Sequence, residues 1–113
     1  MMSGMKVLKE HYLKQGKEYN CYCLRGKVRG VDVRVQLLPP DIQGYTVLDI
    51  VFGENDSADF IITPFEFKDA NGKVITGNSY AVRNTDSNGE VYECKVVPAK
   101  PSDRTLIEML LRA

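Results

Sequence analysis

One turn is written twice in this chain, Asp69-Ala70-Asn71-Gly72-Lys73-Val74 and Asp86-Ser87-Asn88-Gly89-Glu90-Val91, and it constrains the fold more than any other feature. An Asp opening a type I turn, followed by a Gly in the left-handed position, is the chemistry of a three-residue hairpin loop closed by a glycine bulge; Asn-Gly alone also suits a two-residue type I′ loop. Register separates the two. A three-residue loop at 87–89 sets Val82 opposite Cys94, Tyr80 opposite Val96 and Arg83 opposite Glu93, giving one apolar face and a cross-strand ion pair on the other. The two-residue loop would set Arg83 opposite Cys94. The same count at the first turn places Phe67 opposite Ile75.

Upstream, Tyr19 to Arg29 and Val31 to Leu38 read as a further strand pair joined at Arg29-Gly30. Val31, Val33, Val35 and Leu37 alternate with Asp32, Arg34 and Gln36, the pattern of a strand with one buried and one wet face. In the first of these strands Tyr22, Leu24 and Val28 form the inner set, which leaves Tyr19, Cys21, Cys23, Arg25, Lys27 and Arg29 outside. Pro39-Pro40 ends the pair, since neither can donate to a ladder. Tyr45 to Phe52 reads as a strand apolar on both faces, with Leu48, Ile50 and Phe52 on one and Tyr45, Val47, Asp49 and Val51 on the other. Pro64 interrupts the next strand, which places that point at an edge or bulge. Ile75 and Tyr80 are five residues apart, so a shared face would need a bulge or a turn at Gly77-Asn78.

The ends read as helices. Met5 to Gln15, with Ser3 as cap and Met5, Leu8 and Tyr12 at helical spacing, is a short amphipathic helix or else an extended arm. Ser102 to Arg112 is a helix with Leu106, Ile107, Leu110 and Leu111 in one stripe, seated on the second face of Tyr45 to Phe52.

With 113 residues and ordinary apolar content, the chain is read as one domain over 1–113: a helix or mobile arm at 1–17, sheet over 18–98 and a C-terminal helix at 102–112. The expected fold is mainly β, a small antiparallel barrel or two-layer β-roll of about six strands. An OB-type barrel is disfavoured, because the segment after Phe52 is too short for the helix such a barrel carries between its third and fourth strands. No apolar run approaches the length of a membrane helix, and the first residues lack a signal-peptide core, so a cytoplasmic protein without a membrane partner is expected.

Three cysteines at irregular spacing do not make a disulfide framework. Cys21, Cys23, Cys94 and the single histidine, His11, would supply four zinc ligands, but the pair lacks the Cys-x2-Cys spacing of a zinc knuckle. The sequence therefore reads as three reduced thiols, with no metal and no cofactor. The acidic stretch at Glu54, Asp56 and Asp59 lacks the Gly and Glu positions of a calcium loop. No phosphate loop, nucleophile elbow or zinc-protease motif is present, and the expectation is a binding module that is not an enzyme.

Net charge is zero but divided: residues 1–38 carry +5, residues 39–93 carry −7 and residues 94–113 carry +2. Two partner classes follow. Arg25, Lys27, Arg29 and Arg34 on adjacent strands, with Tyr19 as a stacking surface, suit nucleic acid. Alternatively, Tyr45, Val47, Asp49 and Val51 would present an apolar face to another protein or a second copy, helped by the charge division.

Overall fold

A computed structural model describes residues 5–112. Six strands form a closed antiparallel barrel: β1 (Lys6–Lys14), β2 (Lys17–Val28), β3 (Val31–Leu38), β4 (Ser57–Lys68), β5 (Val74–Thr85) and β6 (Val91–Pro98), in the spatial order β1-β2-β3-β6-β5-β4. Two three-stranded meanders are therefore joined edge to edge. The seams are short: Lys6 to Leu8 pair with Asp59 to Ser57, and Leu37 and Leu38 pair with Pro98 and Val97.

The repeated turn behaves identically at both sites. Asp69 Oδ1 accepts the backbone N–H groups of Asn71 and Lys73, each at 2.9 Å, and Asp86 Oδ1 accepts those of Asn88 and Glu90 at 2.8 and 2.9 Å. Gly72 and Gly89 take φ of 80° and 81°, where a β-carbon would strain the backbone. The resulting registers are those of the three-residue loop: Val82 faces Cys94, Tyr80 faces Val96, Arg83 faces Glu93 and Phe67 faces Ile75.

Four expectations are corrected. First, residues 6–14 are strand β1, so the Met5–Gln15 helix does not form; Ser3, its proposed cap, lies outside the described residues. Gln15 and Gly16 both have positive φ, 53° and 77°, the signature of a two-residue type I′ hairpin turn that directs β1 back onto β2. Second, Tyr45 to Phe52 lie in an α-helix, α1 (Gly44–Phe52), which buries Leu48, Val51 and Phe52 at helical spacing against β4, β5 and β6. A helix thus lies between the third and fourth strands after all, and the objection to an OB-type arrangement fails with the strand it rested on; this barrel nevertheless has six strands where that fold has five.

Third, β5 runs through Gly77-Asn78 without bulge or turn, because Phe67↔Ile75 and Ile62↔Tyr80 belong to one unbroken register. Ile75 and Tyr80 therefore point to opposite faces. The glycine is needed for space: a β-carbon at Gly77 would lie 2.6 Å from Cζ of Phe65. Pro64 sits where β4 has β5 on one side and no ladder to β1 on the other, an edge position that spares its missing donor.

Fourth, the C-terminal helix forms at the expected place in the chain but does not take its expected seat on Tyr45 to Phe52. Pro101–Asp103 form a 3-10 turn with Ser102 inside it, and α2 (Arg104–Arg112) follows, packed chiefly on β2 and β3. Ile107 is fully buried, and Leu110 lies directly over Gly26, where a β-carbon would meet its Cδ2 at 2.6 Å. The core collects Val7, Tyr22, Leu24, Val35 and Leu37 from the first meander, Phe60, Tyr80, Val82 and Val96 from the second, and apolar residues of both helices.

Tyr22 links the first meander to α1. Its hydroxyl donates to Asp49 Oδ1 at 2.6 Å, and its ring packs 4.6 Å from that of Phe52. Burial, followed by the bond to Asp49, holds the phenol well above its ordinary pKa. Tyr22→Phe keeps the ring and removes one charge-assisted bond, so urea unfolding should show a loss of about 1 to 2 kcal/mol with an unchanged denaturant slope; no loss would mean that water replaces the phenol at Asp49.

Candidate nucleic-acid interface

Strand alternation sorts the outer face of β1–β2–β3 into rows. β1 contributes Leu8, Glu10, Tyr12 and Lys14, β2 contributes Lys17, Tyr19, Cys21, Cys23, Arg25 and Lys27, and β3 contributes Asp32, Arg34 and Gln36, in the register Lys14↔Lys17, Tyr12↔Tyr19, Glu10↔Cys21, Arg25↔Arg34 and Lys27↔Asp32. The Tyr12–Tyr19 and Lys27–Asp32 contacts follow that register, whereas Arg25 and Arg34 reach diagonally to Glu10 and Cys21. Along this surface five cations oppose two carboxylates.

At the outer end, the rings of Tyr12 and Tyr19 stack with centroids 5.6 Å apart and planes 24° from parallel. Both remain accessible, at 45% and 40% exposure, and the type I′ turn beyond them carries Lys14 and Lys17. The inner end is organised by Glu10. Its carboxylate accepts two bonds from Arg25, Nε at 2.6 Å and Nη2 at 2.8 Å, and lies 3.5 Å from Arg34 Nε. The Arg25 hydrogen bonds hold the Glu10 carboxyl below the usual carboxylate range. Arg34 Nη2 also donates to Cys21 Sγ at 3.1 Å.

Cys21 and Cys23 are on the outer side of the strand yet are buried, and their sulfurs lie 3.9 Å apart. The long side chains of the neighbouring rows cover these small residues. Burial pushes the Cys23 thiol up to about 12, so it stays protonated at neutral pH. Cys94, by contrast, belongs to the barrel core, and His11 reaches diagonally to Glu18, its Nδ1 3.5 Å from Oε1. The four-ligand set weighed from the sequence is therefore not the cluster formed; among the described residues Cys21 and Cys23 are joined by Glu10.

Of the residues singled out from the sequence, Tyr19, Arg25, Lys27 and Arg34 share this face, with Lys27 Nζ 3.8 Å from Asp32. Arg29 does not join them, since it occupies the β2–β3 turn with φ of 53°. Tyr45, Val47, Asp49 and Val51 do not line one strand face: on α1 Tyr45 and Val47 are exposed, Asp49 receives Tyr22, and Val51 is buried. Tyr12 and Lys14 lie on β1, a segment that reads as a helix or an arm, and Lys17 precedes the strand expected from Tyr19. A signal was available, since Gln15-Gly16 and Arg29-Gly30 bracket β2 with the same kind of turn. A second exposed aromatic pair, Phe65 and Phe67 with centroids 6.1 Å apart, lies on β4.

The chain matches no family model, no curated protein and no solved structure. No helix among the described residues is long and apolar enough to cross a membrane.

Proposed function

We propose that this protein is a non-enzymatic module that binds single-stranded nucleic acid along the outer face of β1–β2–β3. The observation that carries the reading is the stacked, accessible Tyr12–Tyr19 pair on the same face as Arg25 and Arg34. Aromatic faces receive unstacked bases whatever their sequence, and flanking cations receive the phosphates. A duplex offers no such bases, so single strands are preferred. Glu10 and Asp32 moderate the attraction, and phosphates compete with them for the guanidinium and ammonium groups.

Salt dependence tests the reading. If Lys14, Lys17, Arg25, Lys27 and Arg34 each neutralise one phosphate, log affinity for a fluorescent single strand should fall against log salt with a slope of about −3.5, or roughly 10² between 50 and 200 mM. Changing Arg25, Lys27 and Arg34 together to Ala should flatten the slope to about −1.4 while the barrel stays folded. No binding at 50 mM salt and tens of micromolar protein would dismiss this function. The exposed side chains Ile42, Tyr45 and Ile50 at α1 would then make self-association the better reading, checked by sedimentation.

A further inference from the structure

We propose that Glu10, Cys21 and Cys23 form a binding site for one thiophilic divalent cation, with zinc the best match to the donors. One ligand atom from each residue lies within 4.8 Å of the other two. The arrangement follows from the strands: residues two apart on β2 share a face, and Glu10 is the cross-strand partner of Cys21. With zinc–sulfur bonds of about 2.3 Å, two thiolates of a tetrahedral site stand roughly 3.8 Å apart, and the two sulfurs are already 3.9 Å apart. Calcium and magnesium, which select oxygen donors, are poorly matched to this set.

The surrounding charges suit an occupied site. Two thiolates and one carboxylate around a divalent ion leave a net charge of −1, and two guanidiniums stand against those ligands. Arg34 Nη2 is 3.1 Å from Cys21 Sγ, while Arg25 holds the Glu10 carboxylate through two nitrogens. Donors of this kind orient ligating groups and balance their charge. Three protein ligands leave the fourth tetrahedral position for water or an incoming ligand. Each thiol loses its proton to solvent on binding. The site shares Glu10, Arg25 and Arg34 with the proposed nucleic-acid face, but its donors are not the aromatic pair and its test uses no nucleic acid.

Titrating the reduced, metal-free full chain with cobalt(II) chloride, then zinc chloride, tests the proposal. One equivalent of cobalt should develop thiolate-to-cobalt charge-transfer absorption, and one equivalent of zinc should remove it. Cys21→Ser and Cys23→Ser should each strongly reduce the band, and Glu10→Gln, which removes the anionic oxygen donor, should weaken zinc binding. Circular dichroism identifies any variant that fails to fold, and Glu10→Gln, at the accessible edge of the cluster, carries the test if a cysteine variant does. The proposal is overturned if stoichiometric cobalt gives no thiolate band, or if the band persists unchanged when either cysteine is replaced.

Discussion

Removal of residues 102–113 is expected to abolish cooperative thermal melting. Ile107 is fully buried and Leu110 nearly so, with Leu106 and Leu111 partly buried beside them. At about 2 to 5 kcal/mol for each large buried side chain lost, the first two alone account for about 4 to 10 kcal/mol, against a typical domain stability of about 5 to 15 kcal/mol. The deletion also uncovers Gly26, which has no side chain to shield the surface that Leu110 occupied, and it removes Arg104 from its position 5.2 Å over the Tyr80 ring. Ile107→Ala provides the graded version, a loss of about 2 to 5 kcal/mol in urea unfolding. A truncated chain that melted cooperatively at nearly the full-length temperature would make α2 an appendage of the barrel.

The elements differ in how far their own sequence determines them. Asp69 and Asp86 satisfy the N–H groups of their turns within four residues, so both hairpins and their registers were legible from local chemistry. β2 and β3 were legible because one face of β3 deepens from exposed Val31 to buried Leu37 in clean alternation. α1 was not. Its sequence, GYTVLDIVF, is rich in β-branched and aromatic residues, and a mainly apolar segment of nine residues does not separate strand from helix by length. What decides is the barrel core, which receives Leu48, Val51 and Phe52 together from one helical face. Asp41 helps to start the helix, its Oδ1 accepting the Gly44 N–H at 2.8 Å.

β1 shows the converse error. Met5, Leu8 and Tyr12 do fall at helical spacing, but a helix this short is marginal alone, whereas β1 gains ladders on both sides, to β2 along its length and to β4 at Lys6 to Leu8. The candidate site inherited that error. Its β2 and β3 residues were found by alternation, while Tyr12, Lys14 and Glu10 were invisible as members of the face until β1 became a strand. The basic surface also differs in kind from a row of free cations, because Glu10 engages both Arg25 and Arg34.

Replacing Tyr12 and Tyr19 together by Ala should produce the largest loss of single-strand affinity. Stacking is worth about 1 to 3 kcal/mol per base, so two independent platforms would cost about 2 to 6 kcal/mol. The rings stack on each other at 5.6 Å, however, and neighbours that share a contact do not add. If one base lies on the outer surface of the pair, either single variant costs about 1 to 3 kcal/mol and the double variant little more. If a base rests on each ring, the double variant approaches the sum. The rings lie outside the core, on the part of the hairpin beyond both seams, so the melting temperature should stay close to that of the parent chain and separate lost binding from lost folding. The salt slope should also stay near its parent value, because no cation is removed. A double variant that bound single strands as tightly as the parent would remove the aromatic half of the proposed interface, leaving a purely electrostatic surface that would have no reason to prefer single strands over duplex.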